Sequence, residues 1–317
     1  MSHAASELAK ELERRVAADF ATASDPYPDL PTIPESELRD GDVLLMLGEG
    51  WAKIHGVPIP VSWLIRLLDG GAYSHGAVVT REAGEPRVWD HSTGGDAETI
   101  GRLAPVPLAS ALKEHAYCHV YRFFKNGEPL DGPDYPSGAV TAALRGHRGD
   151  PYDMTLLAMA GIVALISRIP DDAVLRAVLR FALGQLASAL EWLIAHVDVR
   201  RGALVCTAVV GVSFWDSAPE DPSHRFALEA DLERRRSGAA PLADPEWEAL
   251  LARIRRALAQ LWTSLPAELA ARASALASNA LWVEIGGPSL AVNLVAPSDL
   301  ENSRTLRRVA KLAIPKS

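Results

Sequence analysis

The stretch Gly202-Ala203-Leu204-Val205-Cys206-Thr207-Ala208-Val209-Val210 decides how the chain is read. A single cysteine stands where an apolar run begins, just after the basic pair Arg200-Arg201 and a glycine. The pattern predicts a buried helix with Cys206 in its first turn. There the positive end of the helix dipole favours thiolate, the reactive form of the side chain. A cysteine in an apolar helix can equally be a small buried hydrophobe. The two readings part on whether the chain upstream supplies a base and a group to orient it.

The bulk properties narrow the function classes. The chain has 317 residues, 48% hydrophobic and 23% charged, the balance of a globular protein. A net charge of −8 and a pI near 5.6 speak against a nucleic-acid partner, which needs a basic footprint. Two cysteines make no disulfide framework, and the charged N-terminus lacks an apolar core of signal-peptide type, so a cytoplasmic location is expected. The longest apolar stretch, Met154 to Ser167, is shorter than the roughly 20 residues that cross a bilayer. It predicts a buried or interfacial helix that could contact a membrane peripherally.

Outward from the cysteine, the chain divides into an N-terminal helix and linker (1–38) and one domain (39–317), with helical insertions at about 154–199 and 216–280. Leu8, Leu12, Val16 and Phe20 recur every four residues and predict an amphipathic helix. Residues 21–40, rich in Pro, Ser and Asp, read as a surface linker. Gly41-Asp42 followed by Val43-Leu44-Leu45-Met46-Leu47 predicts a turn and a strand, 48–60 a loop, and Val61 to Leu68 a short helix. Ala72 to Thr80 and Arg87 to Thr93 predict a hairpin with a longer loop around Gly84-Glu85-Pro86. His115 to Phe124 predicts a third strand, with Cys118 facing the core and His115, Tyr117, His119 and Tyr121 on the opposite face, His119 at a surface or wall. Pro136 to Gly146 predicts a helix. Near the C-terminus, Leu281 to Ala296 reads as a hairpin and Ser298 as the cap of a closing helix.

A thiol nucleophile needs a histidine to take its proton and a polar group to hold the imidazole. His75 stands near the start of a predicted strand, and Asp90 and His91 lie on the strand paired with it. Facing positions on such strands are about 4.5–5.5 Å apart, within reach of one another. Alternation puts Trp89 with His91 on one face and Val88 with Asp90 on the other. His91 is the favoured orienting group and Asp90 its rival. Tyr152 is a candidate wall of the site. His55, His115, His147 and His224 show no metal-ligand spacing among themselves or with the cysteines, so neither metal nor cofactor is expected. Glu233-Arg234-Arg235-Arg236 reads as a solvated charge cluster.

Four segments together resemble a known group. Gly41-Asp42-Val43-Leu44-Leu45, Ser74-His75-Gly76-Ala77-Val78-Val79, Gly149-Asp150-Pro151-Tyr152-Asp153 and Val205-Cys206-Thr207-Ala208-Val209-Val210 are similar in order and spacing to the circularly permuted papain-like superfamily. That group includes permuted NlpC-type hydrolases, YiiX-like proteins and lecithin–retinol acyltransferase-like enzymes. Val295 to Ser303 is also similar to the closing segment of YiiX-like members. The resemblance implies an α+β fold, a small antiparallel sheet packed on the cysteine-bearing helix. It further implies Cys206 as nucleophile, His75 as base and His91 as third polar group. Thr207-Ala208 depart from the Ser or Glu more common after the cysteine in that group.

The function classes follow from this. The first is a thiol hydrolase or acyltransferase acting on the ester of an acyl lipid, motivated by the apolar 154–199 insertion between the two halves of the site. The second is an amidase or peptidase acting on a peptide or isopeptide bond. The third is a binding scaffold without catalysis.

Overall fold

The computed structural model describes residues 3–48, 50, 52–54, 57–59, 61–90, 101–113, 115–125, 128–130, 135, 137–150, 206–217, 228, 249, 295–303 and 305–314. Tyr152, His91 and most of the 154–199 and 216–280 segments therefore lie outside the described residues.

The described residues form a mixed α and β structure around one sheet. In chain order they give α1 (His3–Thr22), β1 (Thr32–Ile33), β2 (Val43–Gly48), β3 (Ala52–Ile54), β4 (Val57–Ile59), α2 (Val61–Asp69), β5 (His75–Glu82), β6 (Glu85–Asp90), β7 (Ala104–Pro107), α3 (Leu108–Leu112) and β8 (His115–Lys125). After these come β9 (Glu128–Pro129), α4 (Ser137–Gly146), α5 (Cys206–Asp216), α6 (Pro297–Glu301) and β10 (Leu306–Leu312). The main sheet runs β1-β10-β8-β2-β5-β6-β7, with β9 paired to β8. Its neighbours are antiparallel except β1 against β10.

Alternation along the strands splits the core in two. Val43, Leu45, Val78, Trp89, Tyr121 and Phe123 face Val140 and Leu144 of α4, Val209, Val210 and Phe214 of α5, and Leu300 of α6. Leu44, Met46, Ala77, Val79, Val88, Cys118 and Val120 face Leu108, Ala111 and Leu112 of α3. A sheet buried on both faces explains why β2 reads as an unbroken apolar run with every residue buried.

Within the described residues most of the expected elements are present, the expected hairpin at 281–296 lies almost wholly outside them, and the differences have local causes. The β5–β6 connection is a tight turn: Glu82 pairs with Glu85, and Ala83 and Gly84 both take positive φ, 52° and 87°. That is the backbone of a two-residue hairpin whose twist suits its strands. Ala52–Ile54 and Val57–Ile59, expected as loop, form a small two-stranded sheet. The expected linker is tied down. Thr32 and Ile33 pair with Lys311 and Leu312. The Tyr27 hydroxyl donates to Glu301 at 2.7 Å, and Lys311 donates to Asp25 at 3.1 Å. Ser298 is not a cap. Ala296 holds the N-cap position, where its N–H donates to Asp299, and Ser298 gives its own N–H and hydroxyl to buried Asp69.

His119 is fully buried rather than at a wall. Its Nδ1 meets the Tyr73 hydroxyl at 2.8 Å and its Nε2 lies 3.0 Å from Asp25. Burial pushes its pKa down to about 4, so the ring is neutral near pH 7 and serves the core.

His147 ties the two helices behind the site together. Following α4, it reaches Asp150 through Nδ1 at 2.8 Å and Asp216, the last residue of α5, through Nε2 at 3.0 Å. Two carboxylates on two ring nitrogens call for the doubly protonated ring. Asp216 first, and Asp150 after it, raise its pKa above the ordinary value against the pull of burial. Because the folded pKa lies above the unfolded one, this stabilisation is complete below about pH 6.5 and is lost as pH rises through the folded value. The groups are partly exposed, so the expected contribution is about 1 kcal/mol or less. Denaturant unfolding of His147→Gln against wild type should show that difference near pH 6 and a shrinking one towards alkaline pH. A difference constant with pH would contradict the assignment.

Candidate active site

Three elements converge at one end of the sheet. β5 begins at His75, β6 ends at Asp90 and α5 is described from Cys206. Continuing the register Val78↔Trp89 by one residue sets Ala77 opposite Asp90. His75, two residues from Ala77, is then on the same face as Asp90 and diagonal to it. His91, the favoured orienting group, lies outside the described residues. Asp90, the rival, is the residue that the structure brings to His75, with Nε2 to Oδ1 at 3.0 Å. The contact is a close charge pair at hydrogen-bonding distance.

With Nε2 towards Asp90, Nδ1 is left for the thiol of Cys206, which lies within hydrogen-bonding reach of His75. Cys206 and Asp90 are each 5% exposed, and the His75 side chain is 18% exposed. Burial works against a charge on either partner, but the pair overcomes it. Asp90, and Cys206 as thiolate, raise the His75 pKa well above its ordinary value. The His75 imidazolium, helped by the Gly76 N–H, lowers that of Cys206, against burial and against the Asp90 charge. The arrangement favours a thiolate–imidazolium pair. Cys118, the other cysteine, has no such partner, and burial alone pushes its thiol well above the ordinary value.

Gly76 is what lets α5 come this close. A Cβ at that position would stand 2.9 Å from the Thr207 methyl, 3.4 Å from Leu300 and 3.4 Å from Leu45. Thr207 cannot easily give way, because its hydroxyl donates to the Val295 carbonyl. Gly76→Ala is therefore expected to displace the start of α5 and to cost about 1–3 kcal/mol, as overpacking does. Thermal unfolding and Cys206 alkylation, measured together, should both register it.

No protein-family model matches the chain, and no curated protein does. Among solved structures the chain is similar to the crystal structure of metalloprotein YiiX from Escherichia coli O157:H7, DUF1105. The TM-score is 0.41 at 13% identity, over 88% of this chain and 98% of that one. A likeness at that level bears no further weight, so the site rests on its own geometry.

Among the described residues, no group of three or more His, Cys, Asp or Glu side chains is placed to hold a metal ion. No helix among them is long and apolar enough to cross a membrane.

Of the expected site residues, the structure brings together Cys206, His75 and Asp90. It also brings in one that the sequence argument missed, His115, whose ring centroid lies 5.6 Å from that of His75.

Proposed function

We propose that the protein is a cysteine-dependent hydrolase or acyltransferase that works through a thioester, with the ester bond of an acyl lipid as its substrate. The observation that carries the reading is the buried Cys206–His75–Asp90 set, a nucleophile, a base and an orienting carboxylate in sequence of contact. The apolar run between the two halves of the site in the sequence supports a lipid over a polar substrate.

The chemistry follows from the pair. The Cys206 thiolate adds to the substrate carbonyl and forms a carbon–sulfur bond. As the tetrahedral adduct collapses, the His75 imidazolium gives its proton to the departing alkoxide, leaving a thioester on Cys206 and a neutral imidazole. Water, or an acceptor alcohol or amine, then gives a proton to His75 as it attacks the thioester, and the thiolate leaves. Asp90, 3.0 Å from the ring, stabilises the imidazolium that the first half consumes and the second half re-forms.

The test is a product screen. The protein is incubated with phospholipid vesicles and, separately, with a peptide library, alongside Cys206→Ala. Fatty acid or a transferred acyl chain released by wild type alone supports the lipid reading. Amide cleavage without fatty-acid release would replace it with a peptidase or amidase. No Cys206-dependent product from either would leave the fold as a binding scaffold.

A further inference from the structure

β8 should present His115 and Tyr117 on the same face of the sheet, because they are two residues apart. The pairing with β2 prevents this. Leu47 pairs with Tyr117, but the next residue, Gly48, pairs with His115, so β8 spends one extra residue there. This is a β-bulge, a device that re-aims side chains at sheet ends. Tyr117 and the extra residue, Ala116, both pack on the α4–α5 side. His115 is turned to the other face, the one that His75 shares with Ala77 and Val79.

There its ring tilts 34° to that of His75 at 5.6 Å, and its Nδ1 is buried with no hydrogen-bond partner. The ring also hydrogen-bonds the Ala111 backbone, which holds it in place beside His75. The groups around the ring are His75, the Asp90 carboxylate and the Ala111 backbone. Burial first, and the His75 charge second, push the His115 pKa down to about 4. The ring is thus uncharged near pH 7 and does not compete with the imidazolium beside it.

We infer that His115 is a positioning residue of the Cys206 site: its flat ring packs on His75 and holds that ring in the plane joining Cys206 to Asp90. The inference rests on the reading of Cys206 as nucleophile. It deepens that reading by naming what fixes the base. Asp90 and Cys206 hold the edge of the ring, and neither covers its face. His115 adds a surface packed beside that ring, which opposes its turning about the Cβ–Cγ bond.

Three variants test this, His115→Phe, His115→Ala and His115→Gln. Two readouts are taken at pH 7: the iodoacetamide rate at Cys206, and the ring nitrogen and N–H resonances of His75 in histidine-labelled protein. His115→Phe keeps a flat face and should stay within about twofold of wild type, with the His75 N–H signal still protected from exchange. His115→Ala and His115→Gln should slow alkylation by about tenfold, the worth of part of a charge-assisted hydrogen bond, and broaden that signal. Should Ala fold poorly, Gln carries the comparison. An unchanged rate and signal in Ala or Gln would overturn the inference, as would a Phe variant that loses as much as Gln. If wild-type Cys206 labels no faster than Cys118, the nucleophile reading itself fails, and the His75 resonances still decide whether the stack holds the ring.

Discussion

Cys206→Ala and His75→Ala should each reduce turnover of the substrate found in the product screen by about a thousandfold or more, to the rate of the uncatalysed control. The two effects are expected not to add. Removal of the base leaves a buried thiol that burial pushes above its ordinary value, as it does Cys118, and removal of the thiol leaves nothing to attack. A double variant no slower than either single one is the signature of residues that act as a unit. Stability should change little in Cys206→Ala. The thiol is small, and the His75 ring keeps the Asp90 carboxylate as its counter-charge at 3.0 Å. A His75→Ala protein that retained a tenth of the activity would separate His75 from the chemistry, and another base would have to be found.

Asp90→Asn is the second large effect. The carboxylate acts on the pair in two opposing ways. It stabilises the imidazolium that it touches at 3.0 Å, and it repels the thiolate beyond it. The nearer interaction wins, because Coulomb energy falls with distance and the carboxylate contacts the ring directly. Losing a charge-assisted contact of about 1.5–3 kcal/mol should slow Cys206 alkylation and turnover by about ten- to a hundredfold at neutral pH.

The pH profile should change with it. In wild type the paired form persists between the lowered Cys206 value on the acid side and the raised His75 value on the alkaline side. The rate falls as pH drops below the first, where the thiolate is protonated, and as it rises above the second, where the imidazolium is lost. Without the carboxylate the His75 value falls, so the window should narrow from its alkaline side. His91→Ala is the control for the other candidate orienting group, and with Asp90 in that role it should stay within about twofold. If His91→Ala had the larger effect, the orienting role would pass back to it.

The element types were mostly legible in the sequence because they follow from local patterns. The unbroken apolar run Val43 to Leu47 and the strand opening at His75 predict β2 and β5, and the apolar run after Cys206 predicts α5. Which residue at the end of β6 meets His75 depends on the register that the Ala83-Gly84 turn sets between β5 and β6, and that register puts Asp90 on the His75 face. What was not legible depends on partners rather than on local sequence. The bulge that re-aims His115 exists because β2 meets β8 out of step beyond Leu47, and nothing in His115-Ala116-Tyr117 alone announces it. β10 was missed because Arg307, Arg308 and Lys311 interrupt its apolar positions; they are tolerated because Lys311 reaches Asp25 and Arg308 lies over the Tyr27 ring and donates to Tyr121. The N-terminal segment looked like a linker because its Pro and Asp residues suit a loop. Only the fold shows that Asp25 and Tyr27 are anchors.

The central claim is that Cys206 is a thiolate paired with His75, and its most direct test is competitive alkylation of the protein's two cysteines by iodoacetamide across pH. The account predicts that Cys206 labels rapidly from mildly acidic pH upward, well below the ordinary thiol range, while Cys118 labels only when the protein unfolds. Equal and slow labelling of the two, rising together only in alkali, would contradict it.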